Sequence, residues 1–291
     1  MEKIGIVLLN YNDFESVFDF IRFVEPYSNI IELALVDNNS TDGSYEKFLE
    51  FNKKWIHVIK AQSNNGYASG NNLGLRYLAL NFPNIKVLCI SNPDVILNKE
   101  CLIKILESFS LYPDYAVLTG VMYNPNGSID QNPYLDLPTL LSTVVFCFWG
   151  GRRITKLINR KKIDFSCPIQ NVPALPGCFF AIRKKFLDQI GYLDENTFLY
   201  CEENILAKQV CLNGFKCGII TSATYIHNHS VSINKTYNEV QKNKIYNSSF
   251  LYYFKKYEKK TPIMITLLKC AMFLGNIELS IITLIRKCLH I

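Results

Sequence analysis

The sequence has ten cysteines but no CxxC pair, so the spacing of a thiolate zinc site is missing. Asn10-Tyr11-Asn12-Asp13, just after the first apolar run, contains no glycine, and nothing there matches the GxGxxG turn of a dinucleotide-dependent oxidoreductase. No run of about 18 uninterrupted apolar residues occurs, and no transmembrane helix is expected. The opening MEKIGIVLLNYN is too short an apolar run for a signal-peptide core with its cleavage site, and reads as a strand. Charge of one sign is scarce: a net +6, with no basic stripe interleaved with aromatics, excludes a nucleic-acid footprint. There is no internal repeat.

What is present is a chain of 291 residues, 49% hydrophobic and 19% charged, a composition that folds around a large core. Cys89 in VLCIS and Cys178 in PGCFFAI read as small buried hydrophobes, and the cysteines together as free thiols in a reducing cytoplasm. The modest positive balance suits a protein that meets anionic phosphates or an anionic membrane surface.

Up to about residue 121 the chain alternates strand and helix signals. Strands are expected at 4–9, 32–36, 56–60, 86–91 and 115–121, with helices at 15–24, 45–51 and 71–80. Ser40 or Thr41 is the expected cap of the second helix. Polar residues gather where each strand stops, which predicts an α/β fold binding its ligand outside the carboxyl ends of the strands. Residues 122–138 are turn-rich, 172–232 form a second structured stretch, and a basic tail ends in the apolar segment 262–291. That segment fits a helix in a membrane interface and a core or dimer helix equally well.

Asn92-Pro93-Asp94 follows a strand. Such a tripeptide is ordinary turn chemistry, but a carboxylate there can also hold Mg²⁺ or Mn²⁺ against diphosphate oxygens. Asp37 ends the second strand, Asn64-Asn65-Gly66-Tyr67 follows the third, and Gly177, Glu202-Glu203, His227 and His229 come later. Two histidines at i and i+2 point to one face if the strand continues through them.

In these stretches, IVLLNYND (6–13), LVDNNSTDGS (35–44), NNGYASGNNLGL (64–75), SNPDV (91–95), LPGCFFAIRKK (175–185) and LDENTFLYCEEN (193–204), the chain resembles the family 2 glycosyltransferases. The rhamnosyltransferase-like subgroup, with its Asn-Pro-Asp motif, is most similar. The resemblance implies a GT-A fold: a Rossmann-like, mostly parallel central sheet flanked by helices, with a C-terminal helical tail. It implies a glycosyltransferase domain over 1–237, its nucleotide-binding half about 1–121 and its acceptor-binding half about 122–237, with 238–291 as the tail.

It further implies an inverting, metal-dependent hexosyl transfer from a UDP- or dTDP-sugar to a glycan or polyprenyl-linked acceptor. The setting would be cell-surface polysaccharide synthesis, in the cytoplasm at the inner face of the membrane; the membrane reading of the apolar tail, open beside the core or dimer reading, adds peripheral contact through 262–291. Asn10, Asp37, Asn64, Gly66, Asn72, Asn92 and Asp94 would bind the donor. Gly177 would border the acceptor, where a side chain would block the incoming sugar. Asp94 with His227 or His229 would hold the divalent metal, and Glu203, with Glu202 as the alternative, would be the base. The Glu-Glu pair stands where Glu-Asp is usual in the family, which leaves a second reading open: an inactive nucleotide-sugar-binding module.

Overall fold

In the computed structural model, residues 2–51, 53–151, 153, 161–228 and 238–288 are described, the last three by backbone alone. Four strands with continuous apolar runs, β1 (Ile4–Asn10), β2 (Ile31–Asp37), β3 (Ile56–Lys60) and β4 (Val87–Ser91), lie parallel in the order β3-β2-β1-β4. All seven residues of β2 are buried, as a strand covered on both faces requires. Along β1, Ile4, Ile6 and Leu8 face one layer and Val7 the other, the period of two in a pleated strand.

Helix α1 (Phe14–Val24) covers the first layer, burying Val17, Phe20, Ile21 and Val24 at i, i+3, i+4 and i+7. Helix α4 (Lys99–Leu111) joins it with Leu102 and Ile105; its cap is Asn98, whose Oδ1 accepts from the Cys101 N–H at 2.8 Å. Helix α3 (Tyr67–Asn81) covers the other face with Leu75 and Leu78. Each such side chain contributes roughly 1.5–3 kcal/mol by leaving water.

Antiparallel strands join the sheet beyond its first four strands. Past β4 it continues through β8 (Phe179–Arg183), antiparallel to both β4 and β6 (Tyr115–Tyr123), and then β9 (Lys216–His227), parallel to β6. The outer edge of β9 is shared by β7 (Ile169–Val172) along its first half and the two-residue β5 (Val95–Ile96) at its end, both antiparallel. Helices α6 (Lys184–Ile190) and α7 (Glu202–Leu212) back this half.

The tail forms α8 (Glu239–Lys256) and α9 (Pro262–Cys288). With α5 (Leu140–Cys147) and the start of α7 they enclose a third core containing Cys147, Cys201, Ile205, Phe250, Tyr253, Phe254, Leu268 and Met272. The expectation of no membrane-length helix required an unbroken apolar run. By length and composition alone, Pro262–Ile285 is long and apolar enough to cross a bilayer. Among the described residues the cysteines are free, and Cys89 is fully buried.

Two local expectations change. Helix α2 (Ser44–Phe48) starts after Gly43, and neither Ser40 nor Thr41 caps it. The Ser40 hydroxyl instead accepts from Asn10 and from the Asn12 N–H, while the Thr41 N–H donates to Asn12 Oδ1. Helix α3 begins four residues before the expected Asn71, because Gly66 breaks the chain direction there with φ +98°. A Cβ on Gly66 would lie 2.2 Å from the Phe198 carbonyl oxygen, so backbone meets backbone at this point. Gly66→Ala combines a forbidden φ with a clash that no side chain can relieve. It should lose about 2–4 kcal/mol of stability in a urea titration, against about 1 kcal/mol for Gly127→Ala, where the positive φ is strained but no atom clashes.

Candidate active site

The parallel register sets Asn10 of β1 beside Asp37 of β2, and both are fully buried. Asn10 Nδ2 donates to Asp37 Oδ2 at 3.0 Å and to Ser40 Oγ at 3.0 Å, and the Ser40 N–H donates to Asp37 Oδ1 at 2.9 Å. These bonds compensate a carboxylate removed from water, and each oxygen keeps a second acceptor site. Asn38, 4% exposed, extends the row: its Nδ2 donates to Asn64 Oδ1 at 3.0 Å, which also accepts from the Gly66 N–H at 3.1 Å.

Asn72 sits elsewhere in this scheme. It is fully buried in α3; its Nδ2 donates to the Leu193 carbonyl at 2.9 Å and to Glu195 Oε1 at 2.7 Å, and its Oδ1 accepts from the Leu193 N–H. Those bonds fasten α3 to the segment leading to α7.

Asn92 and Asp94 follow β4. The Asn92 N–H donates to the Cys178 carbonyl at 2.7 Å, joining this turn to the start of β8. Strand β5 pairs Val95 with His227 at the end of β9, and the Asn228 N–H donates to the Asp94 carbonyl at 2.9 Å. This ladder brings Asp94 Oδ2 within 3.3 Å of His227 Nε2. Burial pulls the His227 pKa down, but the bond to Asp94 and contact with Cys178 outweigh it and raise it to about 10, so the two pair as ions as long as no bound cation displaces the imidazole proton. His229 lies outside the described residues.

Among the described residues no group of three or more His, Cys, Asp or Glu could enclose a metal. One carboxylate beside one imidazole is instead the donor set of a divalent ion that completes its shell with diphosphate oxygens and water.

Glu202 and Glu203 open α7, where the unpaired N–H groups of a helix start favour negative charge. A Cβ on Gly177 would lie 2.2 Å from Glu203 Oε1, and the Gly177 N–H bonds to that carboxylate. Tyr67 Oη donates to the Gly177 carbonyl at 2.8 Å. A small apolar cavity lined by Val117, Leu175, Phe180 and Leu206 lies against Glu203. Burial raises both acids. Glu202, 8% exposed with an Oε1 lacking any hydrogen-bond partner, is pushed up to about 8 by burial and then by Glu203. Glu203 is raised by burial and pulled partly back by backbone N–H groups, including that of Gly177.

These contacts form one continuous line. It runs from Asp37 and Asn38 through Asn64, Gly66 and Tyr67 to Gly177 and Glu203, and from Cys178 through Asn92 to Asp94 and His227. Sequence reasoning missed Asn38 and Tyr67 as members. Their signal was adjacency to Asp37 and to Gly66. Tyr200 and Cys201, with φ +71° and +74°, were also missed, and no composition cue marks two left-handed non-glycine residues in a row.

A side chain at Gly177 meets the mobile end of another side chain, not backbone. Gly177→Ala should therefore fold with a nearly unchanged melting temperature while pushing the Glu203 carboxylate aside. A displacement of about 1 Å at a reacting group costs on the order of a hundredfold in turnover, measured as kcat at saturating donor and acceptor.

Residues 6–191, more than half of the chain, match the family model described as glycosyl transferase family 2. The low-salt glycan biosynthesis hexosyltransferase Agl10 of Haloferax volcanii is 26% identical over 242 residues, 79% of this chain and 69% of that protein. The N-acetylglucosaminyl-diphospho-decaprenol L-rhamnosyltransferase of Mycobacterium tuberculosis is 22% identical over 215 residues, 70% of this chain and 69% of that protein. The solved mannosyltransferase PcManGT of Pyrobaculum calidifontis, in complex with GDP-Man and Mn²⁺, superposes with a TM-score of 0.58 at 13% identity. That match covers 94% of this chain and 70% of the other. The strand-end cleft, the curled mixed sheet and the matched motifs agree: the chain belongs to glycosyl transferase family 2 and is a glycosyltransferase of GT-A fold.

Proposed function

We propose that this enzyme transfers a hexosyl group, with inversion, from a UDP- or dTDP-sugar to a glycan or polyprenyl-linked acceptor. The observation that carries the reading is the enclosure of Glu203 against Gly177 and Tyr67, at the other end of the same line of contacts as the Asp94–His227 pair. Asp37, held by Asn10 and Ser40, presents fixed acceptor oxygens to a nucleobase or ribose. Asp94 and His227 would hold a divalent ion, Mg²⁺ or Mn²⁺, which when bound neutralises the departing diphosphate.

The acceptor hydroxyl gives its proton to Glu203 as its oxygen attacks the anomeric carbon from the face opposite the leaving group. One displacement suffices, and no covalent enzyme intermediate forms. A raised carboxylate pKa brings the base nearer the pKa at which proton transfer is effective in neutral solution. The decaprenol-linked substrate in the name of the mycobacterial relative supports a lipid-linked acceptor, and with it a role in cell-surface glycan assembly at the cytoplasmic face of a membrane.

The test is a thermal-shift panel of nucleoside diphosphates and their sugar conjugates, with and without Mn²⁺ or Mg²⁺. A metal-dependent rise with one nucleotide class, lost in Asp94→Ala, is expected, and EDTA should abolish transfer. Undiminished transfer in EDTA would overturn the roles given to Asp94 and His227. Glu203→Gln should keep the nucleotide shift and lose about 10²–10⁴ of kcat. A shift without any measurable transfer by the wild type, across acceptors, would leave an inactive binding module.

The pH dependence follows from the raised acids. The base must be ionised, and burial lifts the Glu203 pKa above the ordinary carboxylate range, so kcat should fall as pH drops through that raised limb in a pH–rate profile. Glu202 has an ordinary value of 4.5 and a folded value of about 8, so its contribution to stability is full below 4.5 and is lost as pH rises through 8. Relative to wild type, Glu202→Gln should melt higher at pH 8 and equally near pH 4.5.

A further inference from the structure

Helix α9 is built with two different sides. Its inner side packs Leu268 and Met272 into the third core. Its outer side carries Ile263, Leu267, Cys270, Leu274, Ile277, Ile281 and Leu284 in alternating steps of four and three, a row about 32 Å long. These residues are exposed, Leu267 to 62% and Leu284 to 64%, and Phe273 beside the row to 65%. On α5, which packs against α9, Leu141 is 74% exposed.

The polar groups of α9 avoid that side or satisfy themselves. Thr266, Ser280 and Thr283 each donate back to the carbonyl four residues earlier, at 2.9, 2.8 and 2.7 Å. Asn276 accepts from Asn243 at 2.6 Å, and Glu278, the helix's acid, accepts from the Trp149 N–H at 3.0 Å. Hydroxyls returned to their own helix and an acid turned inward are the arrangement a hydrocarbon environment demands. Cations bracket the row: Lys255 and Lys259 are exposed before it, Lys269 is exposed to one side of it, and Arg286-Lys287 follow in sequence. Trp149, with the Arg153 guanidinium 3.7 Å from its ring centre, adds an interfacial type of anchor at the Glu278 contact.

We propose that the outer face of α9 docks on an anionic membrane surface, with the helix lying in the plane of the bilayer rather than crossing it. Crossing would require lipid on every side and would strip α9 from α5 and α8. A second copy of the chain also suits a row of period 3.5. Such a pairing is normally registered by charges flanking the row, and here the flanking positions hold Thr266, Phe273, Ser280 and the engaged Glu278. Basic residues at both ends with no acid on the face complement anionic headgroups. The proposal rests on the lipid-linked acceptor reading and deepens it, since docking would bring the cleft to where such an acceptor resides.

The experiment is co-sedimentation of the full chain with sucrose-loaded vesicles of phosphatidylcholine alone or with one quarter phosphatidylglycerol. It compares wild type with the exposed-face variant Leu267→Glu/Leu274→Glu/Ile281→Glu. Expected are binding to the anionic vesicles, weakening in high salt and release by alkaline carbonate, and a loss of at least about tenfold in the variant. An unchanged melting temperature would show the variant to be folded. No binding by wild type, equal binding by the variant, or resistance to carbonate would overturn the proposal. So would a wild-type dimer in light scattering that the variant dissolves. The nucleotide panel run on the same samples separates the readings: wild-type vesicle binding without any nucleotide shift would sink the transferase chemistry and leave the docking surface standing.

Discussion

The burial of two adjacent carboxylates at the start of α7 is the constraint around which the acceptor side of this molecule is arranged. Like charges side by side and out of water are unfavourable, and here the helix start, the Gly177 N–H and the raised proton affinity of Glu202 are what make the arrangement tolerable. Glycine at 177 is required because the carboxylate itself occupies the space a side chain would fill. The two residues before the pair add strain of their own. Tyr200 and Cys201 sit in the left-handed region, at about 1–3 kcal/mol each, and such a backbone persists only where its surroundings fix it.

What fixes it comes from both sides of the fold. From α3, Asn72 grips Leu193 and Glu195. From α8, Tyr252, Lys256 and Tyr257 converge on the buried Asp194 carboxylate, at 2.7, 2.9 and 2.5 Å. Burial would raise that acid, but these bonds, with Asn196, hold it well below the usual carboxylate range. Ser249 donates to the Leu199 carbonyl at 2.8 Å, and the Tyr246 ring lies 6.0 Å from that of Tyr200. The segment 193–204 is thus clamped between α3 and the tail. The tail lies outside the stretch matched by the family model, yet it holds the backbone that presents Glu203, the proposed base.

The parallel half of the sheet was legible because its order is written locally. Each strand is a continuous apolar run, and each ends in the polar residues that the structure gathers at one edge. The antiparallel half was not, since β5, β7 and β8 take their places from partners tens of residues away and leave no period to read. The same difference divides the site. Asp37 and Asp94 could be picked from strand ends, whereas the choice of His227 for Asp94 needed the β5–β9 ladder. Asn72 could be picked with the donor stretch; its fastening role shows only in its bonds to Leu193. Ser40 failed as a cap for a related reason: its hydroxyl was already engaged by Asn10, across a pair of strands.

The two ends of the site are prepared in opposite ways, and the chemistry asks for that. On the proposed donor side Asn10, Asp37 and Ser40 satisfy one another, so a nucleotide bound there would meet fixed partners and little ordering entropy would be left to spend on binding. On the acceptor side Glu202 keeps a buried oxygen without a partner, and the pair retains a proton it would shed in water. Relaxing that side would stabilise the fold and weaken the base, since the same burial that costs stability raises its proton affinity. A base of this kind cannot be held by its own helix alone. It needs the clamp on 193–204, and the clamp needs α8, which in turn is seated on α9. Transfer chemistry and the apolar outer face of the last helix are therefore parts of one mechanical chain.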